Sequence, residues 1–268
     1  MAVVESNKAK IAKRVIEVLE FFDEQHPEAT VMDIVRRFNR PQSSTSELLS
    51  SMVDLGLLYK NHCARSYAPT PRAAMLGSAV QPGMIRDGRL TAMIDRLSAQ
   101  TGLGIAVFGM VGTKTQIFCW RPGSRILRTA RPSGFGGGMQ EHLTETAAGW
   151  LLLSALPQSR HDGLLRRLNA EAPDDRKFSV PEMTSRTKEC RELGYASGMA
   201  GFGSIADVVA MLLPIKHDGQ PLAIGFVFEP SEQIDRPALQ QSLADAIAWS
   251  AEQGRPQSAP VQPLFNAA

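Results

Sequence analysis

Ser185 and Lys188 share the Ser-x-x-Lys spacing with which serine acylases set a nucleophile one helical turn from its base. The run around them, TSRTKEC, is charged and reads as helix, and none of the companion motifs is present. Coincidence explains the match, and no Gly-x-Ser-x-Gly run replaces it. His62 and Cys63 are adjacent, while His142 and His161 stand alone, so no group has the spacing of a metal site. Gly134-Phe135-Gly136-Gly137-Gly138 lacks the Gly-Lys-Ser/Thr ending of a phosphate loop and reads as a lid or connector. No cofactor or metal is expected, and an enzyme reading, a small α+β hydrolase fused to another domain, has no nucleophile with a partner base.

A different chemistry is better supplied. Gln42, Ser43, Ser44 and Ser46, with Ser50 and Ser51 beyond them, are small polar residues in one short run. Such side chains approach a base edge or a phosphate closely and can donate or accept hydrogen bonds. Arg36, Arg37 and Arg40 come just before the run, and Lys60 and Arg65 just after it. Cations flanking a polar helix are what phosphate contacts on both sides of a reading surface require. A serine-rich face turned to solvent would have the same composition, so the surrounding elements decide.

Those elements fall in the order of a winged helix-turn-helix. Thr30, with Asp33 three residues on, is a helix start, and Val31, Ile34, Val35 and Phe38 follow at helical spacing. Pro41 disfavours helix in the residue before it and breaks the run. A second helix follows, capped by Ser43 or a near neighbour, with Leu48, Leu49, Met52, Val53 and Leu55 as its apolar set and Gly56 as its stop. Leu57 to Tyr59 and Ser66 to Ala68 then read as a two-stranded wing, turning at Lys60 to Arg65. Upstream, residues 8 to 24 form an amphipathic helix with Ile11, Val15, Val18, Leu19 and Phe22 on one stripe. Lys8, Lys10, Lys13 and Arg14 load its first half, where the helix dipole disfavours cations, so an outside phosphate or plain solvent must compensate them.

At Pro41-Gln42-Ser43-Ser44-Thr45-Ser46-Glu47-Leu48-Leu49, Leu55-Gly56-Leu57-Leu58 and Tyr67-Ala68-Pro69-Thr70 the sequence resembles the IclR family of bacterial transcriptional regulators. Further on, the small-residue helix start Ala147-Ala148-Gly149 and the run Glu192-Leu193-Gly194-Tyr195-Ala196 continue the resemblance, which spans roughly residues 8 to 253. The family's usual reading helix has Lys where this chain has Gln42, and Arg where it has Glu47. Two positive charges are absent, which implies a different operator or a larger share of the load on Arg36, Arg37 and Lys60. The resemblance implies an α+β chain, an N-terminal winged helix-turn-helix domain followed by a GAF-like α+β effector-binding domain. It also implies a homodimer or dimer of dimers on a pseudo-palindromic operator of double-stranded DNA, and a catabolic operon under its control.

Composition is compatible with this. The 268 residues, 43% of them hydrophobic, suffice for two cores. Residues 1–77 hold ten Lys/Arg and nine Asp/Glu, so the charge is clustered rather than abundant, as suits a specific reader. Cys63, Cys119 and Cys190 show no paired spacing, no apolar run reaches membrane length, and the start has no signal-like core, so a reduced cytoplasmic protein with no membrane contact is expected.

The expected organisation is a DNA-binding domain over 1–77, a linker helix within 78–101, an effector-binding and oligomerisation domain over 102–254, and a disordered Pro-rich tail over 255–268. Met84 to Thr101 reads as one helix, with Leu90, Met93, Ile94 and Leu97 on one face. Strands are expected at Ile105–Phe108, Thr115–Trp120 and Arg125–Arg128. Helices are expected near 147–154, 159–170 and 181–193. A hairpin flanks His217-Asp218-Gly219 with strands Ile205–Ile215 and Pro221–Phe228, and a last helix covers Asp235–Gln253. By resemblance, the effector pocket lies at the helix start of Thr146, Ala147, Ala148 and Gly149, whose amides favour an anionic group, usually a carboxylate in that family. Its opposite wall is expected from the strands of Ile205 and of Phe226 and Phe228, with Trp120, Met139 and Trp150 near. Such walls favour an aromatic or largely apolar acid over a small hydrophilic one. The competing expectation is that Phe226 and Phe228 fill the pocket, leaving the second domain to oligomerise without an effector.

Overall fold

The computed structural model describes residues 7–23, 25–124, 127–128, 135–217, 219–231 and 233–253. The chain forms two compact units, Met1–Val80 and Gln81–Ala268.

The first unit is built from α1 (Asn7–Phe21), β1 (Ala29–Thr30), α2 (Val31–Phe38), α3 (Gln42–Asp54), β2 (Leu58–Asn61), β3 (Ser66–Pro69) and the short α4 (Pro71–Met75). Thr30 and Asp33 close a capping box: the Asp33 amide donates to the Thr30 hydroxyl oxygen at 3.3 Å, and the Thr30 amide donates to the Asp33 carboxylate at 2.8 Å. α2 ends at Asn39 in the left-handed region (φ 49), one of the few non-glycine residue types that adopt it readily. The start of α3 falls on a near neighbour of Ser43. Pro41, not Ser43, is its N-cap, and the Ser44 and Thr45 hydroxyls donate back to the Pro41 carbonyl at 3.2 and 2.9 Å. Proline here costs nothing, because the amide it lacks would have no helical partner.

Val18, Ile34, Leu49, Met52, Leu58 and Tyr67 make the buried core of this unit. The wing pairs β2 with β3 antiparallel, and the short β1 adds to the other side of β3. Deleting a fully buried side chain such as Leu49 would cost roughly 2–5 kcal/mol.

The second unit begins with α5 (Gly83–Arg86) and α6 (Arg89–Thr101). The helix expected as continuous from Met84 is thus broken, at Gly88 with φ 78. Then come β4 (Gly104–Val111), β5 (Lys114–Arg121), β6 (Gln140–His142), α7 (Ala147–Ser154), α8 (Gln158–Glu171), α9 (Val180–Leu193), β7 (Tyr195–Met199), β8 (Asp207–His217), β9 (Gln220–Phe228) and α10 (Arg236–Gln253). The strands form one antiparallel sheet in the order β6-β5-β4-β9-β8-β7. Of the strand expected at 125–128, Leu127 and Arg128 are not in a strand, and Arg125 and Ile126 lie outside the described residues. So do Gly134, Asp218 and the tail expected to be disordered.

Each face of this sheet covers its own core. One core gathers Phe108, Ala147, Leu151, Leu165, Val208 and Val227, bringing α7, α8 and α9 against the sheet. The other gathers Leu97, Ile105, Val209, Ile224, Phe226 and Leu243, with α6 and α10 as cover. Among the described residues no helix is long and apolar enough to cross a membrane.

Candidate functional site

Along α3, buried Thr45, Leu49 and Met52 face the core, whereas Gln42, Ser43, Glu47, Ser50, Ser51 and Asp54 are exposed. Ser43, Glu47, Ser50 and Asp54 recur every three to four residues, which places them on one outward ridge. Ser46 flanks this ridge half-buried, and Ser44, also half-buried, spends its hydroxyl on Pro41. The helix itself holds two carboxylates, Glu47 and Asp54, and no cation. Any anion facing it must therefore be neutralised from neighbouring elements.

Those elements place the five expected cations differently. Arg36 and Arg37 occupy the last turn of α2, both exposed, where the helix dipole favours positive charge. Arg40 turns inward: it is ion-paired with Glu17 of α1 and lies over the Phe38 ring at 5.0 Å. Its charge is spent within the protein. Lys60 is exposed on β2, with its ammonium 5.8 Å from the Tyr67 ring centroid. Arg65 sits at the wing tip with φ 53, a conformation that costs a non-glycine residue about 1 kcal/mol. The tip is held by Asn61, whose side-chain oxygen accepts from the Cys63 and Ala64 amides at 3.0 and 3.1 Å. The wing is therefore pre-shaped.

The second unit brings together one part of the expected effector site and separates another. Thr146 caps α7, its hydroxyl oxygen accepting from the Gly149 amide at 2.9 Å and lying 3.2 Å from the Thr115 hydroxyl, all fully buried. Ala147, Ala148, Trp120 and Met139 belong to the same core. Phe226 and Phe228 do not. They point into the opposite core, toward α6 and α10, and β9 instead turns Ala223 and Val227 toward α7. Adjacent residues of a strand point to opposite sides, so the face that carries Phe226 and Phe228 is the one turned away from α7. Ile205 is 58% exposed and lines neither core.

Residues that sequence reasoning missed occupy the space instead. Phe202, fully buried at φ 57, stacks on Phe108 with 6.2 Å between centroids. Phe135 stands edge-on to Phe202 at 5.6 Å and to Trp120 at 4.7 Å. A bulky residue at positive φ is an outlier that packing must enforce. The signal readable in the sequence was the flanking pair, Gly201 and Gly203, both at positive φ. A separate cavity bounded by His142, Glu145 and Arg176 holds about 10 Å³, at the lower limit for one water.

Residues with catalytic potential are occupied structurally. Lys188 lies 3.7 Å from Glu192, and Ser185 is exposed. Buried His161 bridges Asp162 (3.0 Å) and the buried Thr187 hydroxyl (2.9 Å), tying α8 to α9. Burial pushes the Cys190 thiol up to about 11, far from a thiolate nucleophile. No group of three metal-ligating side chains is found among the described residues.

A winged helix-turn-helix unit followed by an antiparallel sheet with helices on both faces is the architecture of a DNA-binding transcriptional regulator built from two units. Residues 12–62 match the model of the IclR helix-turn-helix domain, so the chain carries the DNA-binding domain of the IclR family of transcriptional regulators. The fold of the chain is that of solved structures of this family. An IclR transcriptional regulator from Alicyclobacillus acidocaldarius is 18% identical over 93% of this chain and 97% of its own, with a TM-score of 0.53. An IclR-family transcriptional regulator from Brucella abortus is 17% identical over 91% and 92%, with a TM-score of 0.51. An IclR homologue from Microbacterium hydrocarbonoxydans, solved in complex with 4-hydroxybenzoate, is 16% identical over 90% and 97%, also with a TM-score of 0.51. No curated protein matches the chain.

Proposed function

We propose that the chain regulates transcription by reading duplex DNA with Gln42, Ser43, Ser46 and Glu47, while Arg36, Arg37, Lys60 and Arg65 hold the phosphates. The observation that carries this is the outward ridge of α3, exposed and polar along its length while its inner face is locked into the core. The working form is a homodimer or dimer of dimers, which sets two reading helices in successive major-groove segments of a pseudo-palindrome. Residues 78–101, with α6 as their main element, link the halves. Selection of bound duplexes from a random pool tests the reading. A two-fold symmetric site supports it, and recovery of random sequence at every salt concentration refutes it. Lys60→Ala and Arg65→Ala should each lower the salt slope of binding by about one and weaken all sequences alike.

The second unit senses a small aromatic or largely apolar acid, and the operon under control is catabolic. Phe135, Phe202, Phe108 and Trp120 form an aromatic nest beside the α7 start, and a flat ring entering it would take the place of Phe135. The structural similarity to a protein that binds 4-hydroxybenzoate supports this ligand class. A second reading draws on the same nest: Phe108 and Phe202 are fully buried, so the site is filled and the unit only associates. Titration of the protein on its selected DNA with benzoates and with two- and three-carbon acids separates the two. Release or tightening by benzoates alone supports an aromatic effector, whereas response to small acids alone sinks it. Silence toward both, with no rise in melting temperature, leaves the filled reading.

A further inference from the structure

Between the C-terminal end of α3 and the wing lies a cleft of about 560 Å³. Val53 and Leu58 give it an apolar floor, and Tyr59, Lys60, His62 and Arg72 are exposed around it. Gly56, at φ +69, is part of the same wall. A Cβ there would stand 3.5 Å from Arg72 Cδ, so the arginine stem lies directly across the glycine. Arg72 belongs to α4, outside the helices and wing to which the DNA contacts above are assigned.

The charge is one-sided. Lys60 and Arg72 line the cleft with His62, no carboxylate does, and among the described residues neither Lys60 nor Arg72 is in an ion pair. Arg40, Arg89 and Arg128, by contrast, each have a carboxylate partner, Glu17, Asp87 and Glu229 in turn. Cations gathered without a counter-charge repel one another and are stabilised by an anion placed among them. A helix in the major groove with a wing beside it leaves one sugar-phosphate strand between the two. The cleft is the concavity between those two elements.

We infer that this cleft seats a backbone phosphate of bound DNA and that Arg72 is a phosphate ligand, fixing the position of the duplex without reading its sequence. The inference rests on the DNA-binding reading above and extends the interface from α3 and the wing tip to α4. It accounts for a reading helix without cations: neutralisation is supplied from one side by α2 and from the other by Lys60 and Arg72.

The test uses the full chain and fluorescence anisotropy on two duplexes, one of random sequence and one selected by the protein, over a series of salt concentrations. Arg72→Gln should weaken both duplexes by a similar factor and lower the slope of log affinity against log salt by about one. Arg72→Lys should restore the slope, and an unchanged melting temperature should show that the exposed substitution leaves the fold intact. A parent that binds while Arg72→Gln keeps its slope and affinity overturns the assignment alone. A parent that binds neither duplex removes the DNA reading and the assignment with it. The phosphate could also come from a free phosphorylated compound. Inorganic phosphate that raises the melting temperature of the parent but not of Arg72→Gln, with the DNA slope unaltered, would give the cleft to that source and overturn the DNA seat.

Discussion

Arg40, in the turn that leads into the reading helix, is ion-paired with Glu17 of α1, 23 positions earlier, and covers the Phe38 ring. The two side chains are 16% and 24% exposed, sheltered enough for the pair to matter. Arg40→Ala should destabilise the first unit by about 1–3 kcal/mol, since it strands Glu17 and uncovers Phe38. DNA affinity should fall through misplacement of α3 while the salt slope stays that of the parent. A slope lowered by one would instead return Arg40 to the phosphates. Chemical denaturation and anisotropy on the same samples measure both effects.

Glu47 is exposed on the outward ridge; if that ridge faces DNA, Glu47 would accept from a cytosine amino group or repel phosphate. Glu47→Arg should therefore raise affinity for random duplexes and flatten the preference for the selected one. Identical binding of every probe by variant and parent would show that Glu47 faces solvent in the complex.

Asp33 contributes to the pH dependence of the first unit. The Thr30 hydroxyl donates to its carboxylate at 2.7 Å and the Thr30 amide at 2.8 Å, and these bonds hold its pKa below the ordinary aspartate value. Because the folded value is the lower one, the stabilisation is complete above the unfolded value. It is lost as pH falls through the folded one. Asp33→Asn should be less stable than the parent near neutrality, and the difference should shrink in acid. Urea midpoints across a pH series give the comparison, and a gap that persists or widens in acid would contradict it.

At the start of α7 there is no room for a side chain. A Cβ on Gly149 would come 2.1 Å from the Leu143 carbonyl oxygen and 2.7 Å from the Thr115 hydroxyl, neither of which yields cheaply. Gly149→Ala should cost at least about 1–3 kcal/mol. Thr146→Val removes the cap and leaves the buried Thr115 hydroxyl without its partner, for a loss of about 1–3 kcal/mol that Thr146→Ser should largely recover. Thermal melting of the three variants ranks them.

The first unit was legible because its signals are local. Thr30 with Asp33, Pro41 and Gly56 each act on the backbone within a few residues, and their order alone defines the motif. The cap of α3 falls on Pro41, near the expected Ser43, because Ser44 and Thr45 turn their hydroxyls back to Pro41 instead of forward to the helix amides. Arg40 was read as a DNA contact because its partner is distant in sequence and no local pattern announces it. The helix expected as continuous from Met84 to Thr101 runs through Gly88, whose positive φ ends one helix before the next begins. β9 was found, but its orientation was not. Eight of its nine residues are buried, so it lacks the polar alternation that would tell one face from the other.

That strand has a thermodynamic consequence. β9 lies between β4 and β8 inside the sheet and gives successive residues to opposite sides, Ile224 and Phe226 to one core, Ala223 and Val227 to the other. Neither core can dissolve while the other keeps β9 in register, since both depend on one run of backbone. Heating should therefore take the sheet and all five of its longer covering helices apart in a single calorimetric endotherm, with van't Hoff and calorimetric enthalpies in agreement. A substitution beneath α10 should lower the temperature at which α7 melts, even though the sheet separates the two helices.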